Sequence, residues 1–325
     1  MKPYLYTLLA AASAAGLAQA QTAYTTPVGY VTKTLGANQF NLVGLTLHQP
    51  TAAAGILDAS SSSTVTDNNI DFSTALTAGA TYVLELSNGT IQEISAWSGS
   101  VLTTPDDISS LVTAGQTSYK IRKASTISDV FGVNNSAGLT ASADGSLTGV
   151  DLVLILNSSG SFDTVFYVND GAGTEGWFDV SFNPAADKPI VYADAFFVQK
   201  AASSGTLTIT GEVKTAPTSG VLNPGWNYVG GAAPAGLTVD GTGLKSFLTP
   251  TPDGDLTNAD TLLLPNPDGT YKTLFYVNDG AGTEGWFDDG FNEASAVPFD
   301  SGVLIFNKGS QKGFTIGVPD SFSGL

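Results

Sequence analysis

The chain has 325 residues, with 12 lysines and arginines against 29 aspartates and glutamates, one histidine and no cysteine. A formal charge of −17 repels nucleic-acid phosphates, so we expect no DNA or RNA partner. The lack of cysteine excludes disulfides, thiolate nucleophiles and Cys-ligated zinc sites. The hydrophobic share of 42% is sufficient for a folded core.

The first 20 residues have the pattern of an export signal. Lys2 precedes an apolar stretch from Leu5 to Leu17, and Ala18-Gln19-Ala20 fits the small-x-small cleavage pattern. We therefore predict a signal peptide over residues 1–20 and an exported protein that is extracellular, at the cell surface or periplasmic. No other stretch is apolar enough for a transmembrane helix, so none is expected.

An internal repeat is the strongest signal in the sequence. The stretch Phe166–Asp179 recurs without change at Phe275–Asp288, 109 positions further along. The match extends upstream to Asp151 and Asp260, and a shift of 108 positions aligns the closing stretch at 195–200 with 303–308. Such self-similarity is typical of repeated structural units.

A third, degenerate copy lies nearer the N-terminus. The stretch Leu76–Gly89 aligns with Leu147 onward, and Ser118–Lys123 is its predicted closing strand. In addition, Phe40–Gly44 resembles Trp226–Gly230, which we interpret as an opening that the middle copy lacks. The sequence therefore predicts a degenerate β repeat unit at 21–125 and further β repeat units at 126–215 and 216–325.

Strand signals dominate each unit. Thr206–Thr210 alternates polar and apolar residues, which is the period of a half-buried strand. Asn88-Gly89 and Pro267–Gly269 are turn sequences between apolar stretches and predict hairpins. Helical signals are few and short, as at Thr126–Gly132. The predicted fold class is all-β, with Greek-key or jelly-roll-like β-sandwich units in tandem and few short helical turns.

The same patterns predict the surroundings of single residues. Glu85 and Glu212 alternate with apolar residues, so we expect them to face solvent. Lys200 closes an apolar strand and is predicted to be a solvated strand end. His48 is expected to be partly exposed at a strand end, and Trp226 is interpreted as a core anchor of its unit.

The repeated loop is rich in acids and glycines and has no basic residue. Flexible, oxygen-rich loops suit Ca²⁺, which makes calcium the one candidate cofactor, although the EF-hand spacing is absent. The alternative is a strand–loop–strand whose acids point to water. The predicted calcium ligands are Asp170, Glu175 and Asp179, and in the second copy Asp279, Glu284 and Asp288.

The same loop also suggests a sugar platform. An aromatic face flanked by amides and carboxylates suits pyranose rings, which predicts a cell-surface glycan partner. Self-association is the other predicted partnership, because two copies of one loop favour multivalent binding or assembly over a single active site. The predicted ligand-binding residues are Tyr167, Trp177, Tyr276 and Trp286.

Catalytic motifs are lacking in the sequence. His48 is the only histidine, and no Gly-x-Ser-x-Gly elbow accompanies it, so a Ser-His-Asp triad is not expected. A glycosidase needs only two carboxylates, for which Glu175 with Asp179, or the equivalent pair of the second copy, are the candidates. We predict that the protein is not an enzyme and has no catalytic residues.

Several stretches together resemble a known group of proteins. Thr26–Val31, Phe40–Leu45 and Thr126–Gly132 look like an uncharacterised family of exported β-rich repeat proteins from Verrucomicrobia-type bacteria. Thr206–Val213 is similar to the strand before that family's last unit. The resemblance covers most of the chain after residue 20 and implies an exported bacterial protein. The family has no assigned activity, so no functional residue is transferred.

The leading hypothesis is a secreted or cell-surface, non-enzymatic β protein with a structural, adhesive or assembly role. The alternatives are a carbohydrate-binding protein that uses the duplicated loops and a carboxylate-dependent glycan hydrolase. The sequence leaves open the ligand, the oligomeric state, and whether the units are separate domains or one fused sandwich.

Overall fold

In a computed structural model of the chain, residues 27–157, 159–230 and 233–322 are described. The predicted signal peptide lies outside these residues. The described part of the chain is all-β, as predicted, and its strands form antiparallel sheets with short helical turns between them.

Strands make up most of the ordered elements, and their bounds follow in chain order. The first ten are β1 (Val28–Leu35), β2 (Gln39–Gly44), β3 (Thr51–Ile56), β4 (Ala59–Ser61), β5 (Thr64–Thr66), β6 (Tyr82–Leu86), β7 (Ile91–Ile94), β8 (Ala96–Ser98), β9 (Val101–Thr103) and β10 (Ser118–Lys123). The next seven are β11 (Ser125–Thr126), β12 (Leu152–Leu156), β13 (Phe162–Asn169), β14 (Glu175–Asp179), β15 (Pro189–Ile190), β16 (Ala195–Lys200) and β17 (Gly205–Glu212). The last are β18 (Thr218–Leu222), β19 (Gly225–Val229), β20 (Thr261–Pro265), β21 (Tyr271–Asn278), β22 (Glu284–Asp288), β23 (Val303–Asn307) and β24 (Lys312–Ile316).

The helical elements are short. Within the described residues, the α-helices are α1 (Phe72–Ala75) and α2 (Ile127–Phe131), and the 3-10 helices span Ser109–Leu111, Asp240–Thr242, Leu244–Ser246 and Asp320–Phe322. Helix α2 begins at a capping box in which Thr126 and Asp129 exchange hydrogen bonds, and Gly132 ends it. The helical turn predicted at Thr126–Gly132 is confirmed.

The middle part of the chain forms a five-stranded sheet in the order β14-β13-β12-β16-β2. Strands β12, β13 and β14 are consecutive, and β16 returns beside β12, which is Greek-key order. The fifth strand, β2, comes from the N-terminal part of the chain and pairs with β16 along its whole length. Strands β1 and β17 pair in a separate two-stranded ribbon.

The C-terminal part repeats this arrangement. Its five-stranded sheet has the order β22-β21-β20-β23-β19, and β18 pairs with β24 as a ribbon. Strand β19 therefore holds the position that β2 holds in the first sheet. The resemblance between Phe40–Gly44 and Trp226–Gly230 is explained, because these stretches contain the equivalent edge strands of the two sheets.

The strand pairing does not follow the expected boundary near residue 125. Residues 27–50 and 124–213 together form one repeat, which we call the split repeat, and residues 214–322 form the C-terminal repeat. Residues 51–123, here called the insert, contain two four-stranded sheets with their own apolar core. The middle copy therefore has an opening strand, but the insert separates that strand from the rest of its sheet.

The closing strands of the two repeats have a register that differs from the sequence alignment. Val198 pairs with Asn41, and Ile305 pairs with Asn227, so Val198 and Ile305 are equivalent, 107 positions apart. The alignment with a shift of 108 positions is therefore wrong by one residue. A slip of one residue exchanges the two faces of a strand, and burial selects the observed register because Val198 and Ile305 are both inaccessible to solvent.

A buried aspartate holds each repeat together. The Asp151 carboxylate accepts the backbone N–H groups of Thr140 and Ala201, each at 2.7 Å, and forms an ion pair with Lys200. Asp260 accepts the corresponding N–H groups of Thr249 and Lys308 and forms an ion pair with Lys312. The Lys200 side chain is 2% exposed, so the sequence interpretation of this lysine as a solvated strand end is wrong.

The lysine reaches the aspartate from a different strand in each repeat. Lys200 ends β16, and its equivalent at the end of β23 is Asn307. Lys312 begins β24, and its equivalent at the start of β17 is Gly205. A Cβ atom on Gly205 would lie 3.6 Å from the Lys200 ammonium. Each repeat therefore places one lysine ammonium beside its buried aspartate. The lysine belongs to the closing strand β16 in the split repeat and to the ribbon strand β24 in the C-terminal repeat.

The insert is joined to the split repeat by a buried ionic network. Arg122 of the insert donates to Glu85 at 3.1 Å and to Glu212 of the split repeat. Tyr192 of the split repeat donates to Glu85 at 2.6 Å. Both glutamates alternate with apolar residues in the sequence and were expected to face solvent. They are buried because Arg122 provides the opposite charge in the same desolvated space.

His48 lies beside this network and was expected to be partly exposed, but it is only 3% exposed. Its ring lies 4.2 Å from that of Tyr192, and neither ring nitrogen has a hydrogen-bond partner. Burial, followed by the positive charges of Lys214 and Arg122, holds the pKa of His48 well below its ordinary value. The two acids of the network, Glu85 and Glu212, are each paired with Arg122. The histidine is therefore neutral in the folded chain.

The first prediction concerns the lysine exchange. Lys200→Asn leaves the buried Asp151 without its cation and should lower the free energy of unfolding by about 3 kcal/mol. Adding Gly205→Lys copies the C-terminal repeat and should restore most of this loss. Urea denaturation of the three chains measures the difference. A double variant no more stable than the single one would contradict the exchange.

The second prediction concerns pH. An unfolded histidine binds a proton below about pH 6.5, whereas folded His48 does not, so stability is lost as the pH falls below that value. His48→Phe should remove a slope of up to about 1.4 kcal/mol per pH unit in this range. Denaturation of both chains from about pH 7 to about pH 5 measures it, and groups common to both chains cancel in the difference. If the free energy of unfolding changed with pH in the same way for both chains, His48 would be protonated in the folded state.

Candidate functional site

The two identical loops contain the same internal hydrogen bonds. The Asp170 carboxylate accepts the backbone N–H groups of Ala172 and Thr174 at 2.7 and 2.9 Å. Asp279 accepts the corresponding groups of the second copy at the same distances. These donors hold the pKa of both aspartates below the ordinary value. Each aspartate therefore stabilises the turn in which it lies.

The other acids of the loops are also bonded to close neighbours. Glu175 begins β14 and accepts the phenol O–H of Tyr167 at 2.9 Å. Asp179 ends β14 and accepts the backbone N–H of Asn183 at 2.9 Å. The equivalent residues Glu284, Tyr276, Asp288 and Asn292 repeat these contacts.

The positions of these acids do not support the predicted calcium site. A calcium ion needs six to eight oxygens converging at about 2.3–2.6 Å. Glu175 and Asp179 are the two ends of one strand, and a rise of about 3.3 Å per residue separates their Cα atoms by about 13 Å. Within residues 27–157, 159–230 and 233–322, no group of three or more Asp, Glu or His side chains is placed to hold a metal ion.

The aromatic residues of the predicted sugar platform lie inside the two cores. Trp177 is 2% exposed, its ring contacts Tyr167 and Phe131, and its indole N–H donates to the Gly132 carbonyl at 2.8 Å. Trp286 and Tyr276 are also buried in the C-terminal repeat and contact each other, although the Trp286 indole N–H has no hydrogen-bond partner among the described residues. None of these four rings has an open face, so the predicted platform is not formed at these positions.

Open aromatic rings occur instead on the outer faces of the two five-stranded sheets. Each sheet has one face on its own core and an opposite face that also carries apolar residues. The two outer faces meet, because the ring of Tyr228 lies 5.3 Å from Phe162 and 5.8 Å from Phe197. The split repeat and the C-terminal repeat therefore pack back to back.

The contact between the repeats is reciprocal and creates two equivalent clefts. Asn157 and Gly160, between β12 and β13, lie across a cavity of about 350 Å³ from β18 and β19. The equivalent turn at 266–269 lies across a cavity of about 330 Å³ from β1 and β2. We call the first the open cleft and the second the bridged cleft.

Side chains cross the bridged cleft. Lys33 forms an ion pair with Asp300 at 3.2 Å, and the Gln39 amide donates to the Pro267 carbonyl at 3.4 Å. Among the described residues, no side-chain hydrogen bond or ion pair crosses the open cleft. The two clefts are therefore formed by equivalent strands and turns, but side chains obstruct the bridged cleft and leave the open cleft accessible.

The open cleft combines an exposed ring with amide side chains. Trp226 is 49% exposed, and its ring lies 4.7 Å from Phe306. Tyr228, Asn157 and Asn223 line the same cavity. Its walls therefore present an aromatic surface beside neutral hydrogen-bonding groups.

Among the described residues, Asp194 is the one charged residue that lines the open cleft. It also lines a neighbouring cavity of about 330 Å³, together with Glu93 of the insert and Lys188. Asp194 is exposed to solvent, but partial desolvation by the protein around it and the negative charge of Glu93 raise the pKa of its carboxyl to about 6. Lys188 is paired with Asp163 at 2.6 Å.

A further cavity, of about 430 Å³, adjoins the bridged cleft and is almost entirely apolar. Its walls include Phe40, Phe162, Phe197 and Tyr271, which belong to both repeats. Phe40 is half exposed, and its ring lies 6.1 Å from Phe197.

The sequence analysis did not identify this surface. Trp226 was interpreted as a core anchor, and Phe40 only as part of a repeated opening. A signal was present, however. Leu152–Leu156 and Thr261–Pro265 are apolar without alternation, which is typical of strands covered on both faces.

Comparisons of the chain with protein-family models, with curated proteins and with solved structures found no match in any of the three. Within the described residues, no helix combines the length and hydrophobicity that crossing a membrane requires.

The third prediction concerns the acidic loops. Because each acid already caps a turn and no ligand set converges, the melting temperature should be the same in EDTA and in millimolar calcium. Differential scanning calorimetry of the chain beginning at Gln21 measures it. A ligand specific for the folded state must raise the melting temperature, so a rise in calcium would restore the metal hypothesis.

Proposed function

We propose that the protein is an exported, non-enzymatic, glycan-binding protein with an adhesive role, and that the open cleft is its binding site. The observation that carries this proposal is the exposed ring of Trp226 beside the amide of Asn223 and the carboxylate of Asp194. A pyranose has an apolar face and a rim of hydroxyl groups. An aromatic ring suits the first and amide groups suit the second.

The charge of the cleft favours an uncharged glycan. No lysine or arginine lines the open cleft, and the chain as a whole carries a formal charge of −17. An acidic polysaccharide would be repelled by this negative charge and would find no basic partner in the cleft. Asp194 instead offers an acceptor for sugar hydroxyl groups.

A glycan hydrolase is less well supported. The two carboxyl groups of a glycosidase lie about 5–9.5 Å apart on either side of the scissile bond. Glu175 and Asp179 lie at opposite ends of β14, and each is bonded to a side chain or turn at its own end. Neither residue lines one of the clefts described above.

Export is part of the proposal, and it rests on residues 1–20 and on the family resemblance. Expression in a bacterial host with an export system should give a mature chain that begins at Gln21. N-terminal sequencing of the periplasmic and culture fractions measures this. An intact N-terminus at Met1 with the protein retained inside the cell would overturn the export proposal.

The binding prediction uses one aromatic residue and a matched control. Trp226→Ala should weaken glycan binding by about 2 kcal/mol, or about thirtyfold, because it removes the exposed ring of the site. Phe182→Ala removes a ring with the same 49% exposure that lines neither cleft, and it should bind like the wild type.

The measurement is an array of neutral oligosaccharides, followed by calorimetry with the tightest one. No binding by the wild type would overturn the glycan proposal. In that case, stable oligomers in light scattering would favour the structural or assembly role. Equal binding by wild type and Trp226→Ala would show that the glycan binds elsewhere.

A further inference from the structure

Three side chains fill the bridged cleft, namely Lys33, Gln39 and Asp300. Lys33 and Asp300 form the ion pair across it. The Gln39 side chain lies against the turn of the C-terminal repeat, where a Cβ atom on Gly269 would be 2.4 Å from the Gln39 amide oxygen. The cleft is therefore occupied by the chain itself.

The strand registers identify the counterparts of these residues in the open cleft. Gln39 pairs with Lys200, and Gly225 pairs with Asn307, at the equivalent ends of the two closing strands. Gly225 is therefore the counterpart of Gln39. A Cβ atom added to Gly225 would meet no atom within 4 Å, so the space that Gln39 fills is empty beside Gly225.

The counterpart of Lys33 is also a glycine. Lys33 pairs with Leu207 in the first ribbon, and Gly220 pairs with Phe314 at the same place in the second. Asp300 lies in the segment between a bridge at a proline and the closing strand, and this segment is two residues shorter in the C-terminal repeat. The registers therefore give Lys33 and Gln39 glycine counterparts in the open cleft, whereas Asp300 has no equivalent residue.

We propose that the chain binds one neutral glycan, in the open cleft, and that Lys33, Gln39 and Asp300 exclude a second from the bridged cleft. This inference rests on the proposed function and assigns the stoichiometry and the excluding residues. The repeats provide two nearly equivalent sites, and side-chain size makes one of them available. Phe40 in the bridged cleft corresponds to Trp226 in the open cleft and would provide the aromatic surface of a second site.

The test replaces the three side chains that fill the bridged cleft with small residues. The triple variant Lys33→Gly, Gln39→Gly, Asp300→Ala gives the bridged cleft the two glycines of the open cleft and removes the carboxylate that pairs with Lys33. The exchanged ion pair is partly exposed, so its loss costs the fold little. A second triple variant with alanine at all three positions avoids the flexibility of glycine, and melting curves confirm that both chains are folded.

The readout is stoichiometry, with the tightest neutral oligosaccharide of the array as probe. Calorimetry and native mass spectrometry should show one bound oligosaccharide per wild-type chain and two per triple variant, the second within about tenfold of the first in affinity. Adding Phe40→Ala to the triple variant should remove the second site, whereas adding Trp226→Ala should remove the first.

The outcomes separate this inference from the function on which it rests. Two oligosaccharides bound to the wild type, or one bound to both triple variants, would overturn the inference and leave glycan binding intact. A wild type that binds no oligosaccharide would overturn both.

Discussion

The pairing of β2 with β16 is the contact on which the arrangement of the whole chain depends. Asn41 of β2 donates to the carbonyl of Val198, 157 positions away. This pairing completes the sheet of the split repeat, and the two ends of the insert meet next to it in the pairing of Thr51 with Arg122. It also places Phe40 on the outer face that meets the C-terminal repeat. The insert, the two clefts and the buried network around Arg122 all follow from it.

Local features of the sequence predicted the fold class, the hairpins and the repeat well. Turns such as Asn88-Gly89 act over a few residues, so they can be recognised from the sequence alone. The split repeat was missed because pairing between distant strands has no local signature. Glu85 and Glu212 were misplaced for the same reason, since their partner Arg122 is distant in the sequence from both.

The sequence places the candidate site in the repeated loops, whereas the structure buries the aromatic rings of these stretches in the two cores. Identity between copies indicates structural need as readily as function. The stretch that recurs unchanged provides core tryptophans and self-bonded turns. The clefts are formed where the two copies differ, as with Gln39 and Gly225. Single differences between copies are invisible until strand registers identify equivalent residues. The repeated fold thus preserves a common backbone, and its departures from symmetry create the accessible surface.

The split repeat also has a consequence for the order of folding. Strands β1 and β2 are the first to emerge during synthesis, but their partners β17 and β16 end at Glu212 and Lys200. The insert has its own core and can close while β1 and β2 still have unpaired edges. Closing such a long loop is slow relative to local pairing. We therefore expect the beginning of the described chain to be the last part of the split repeat to pair with its sheet.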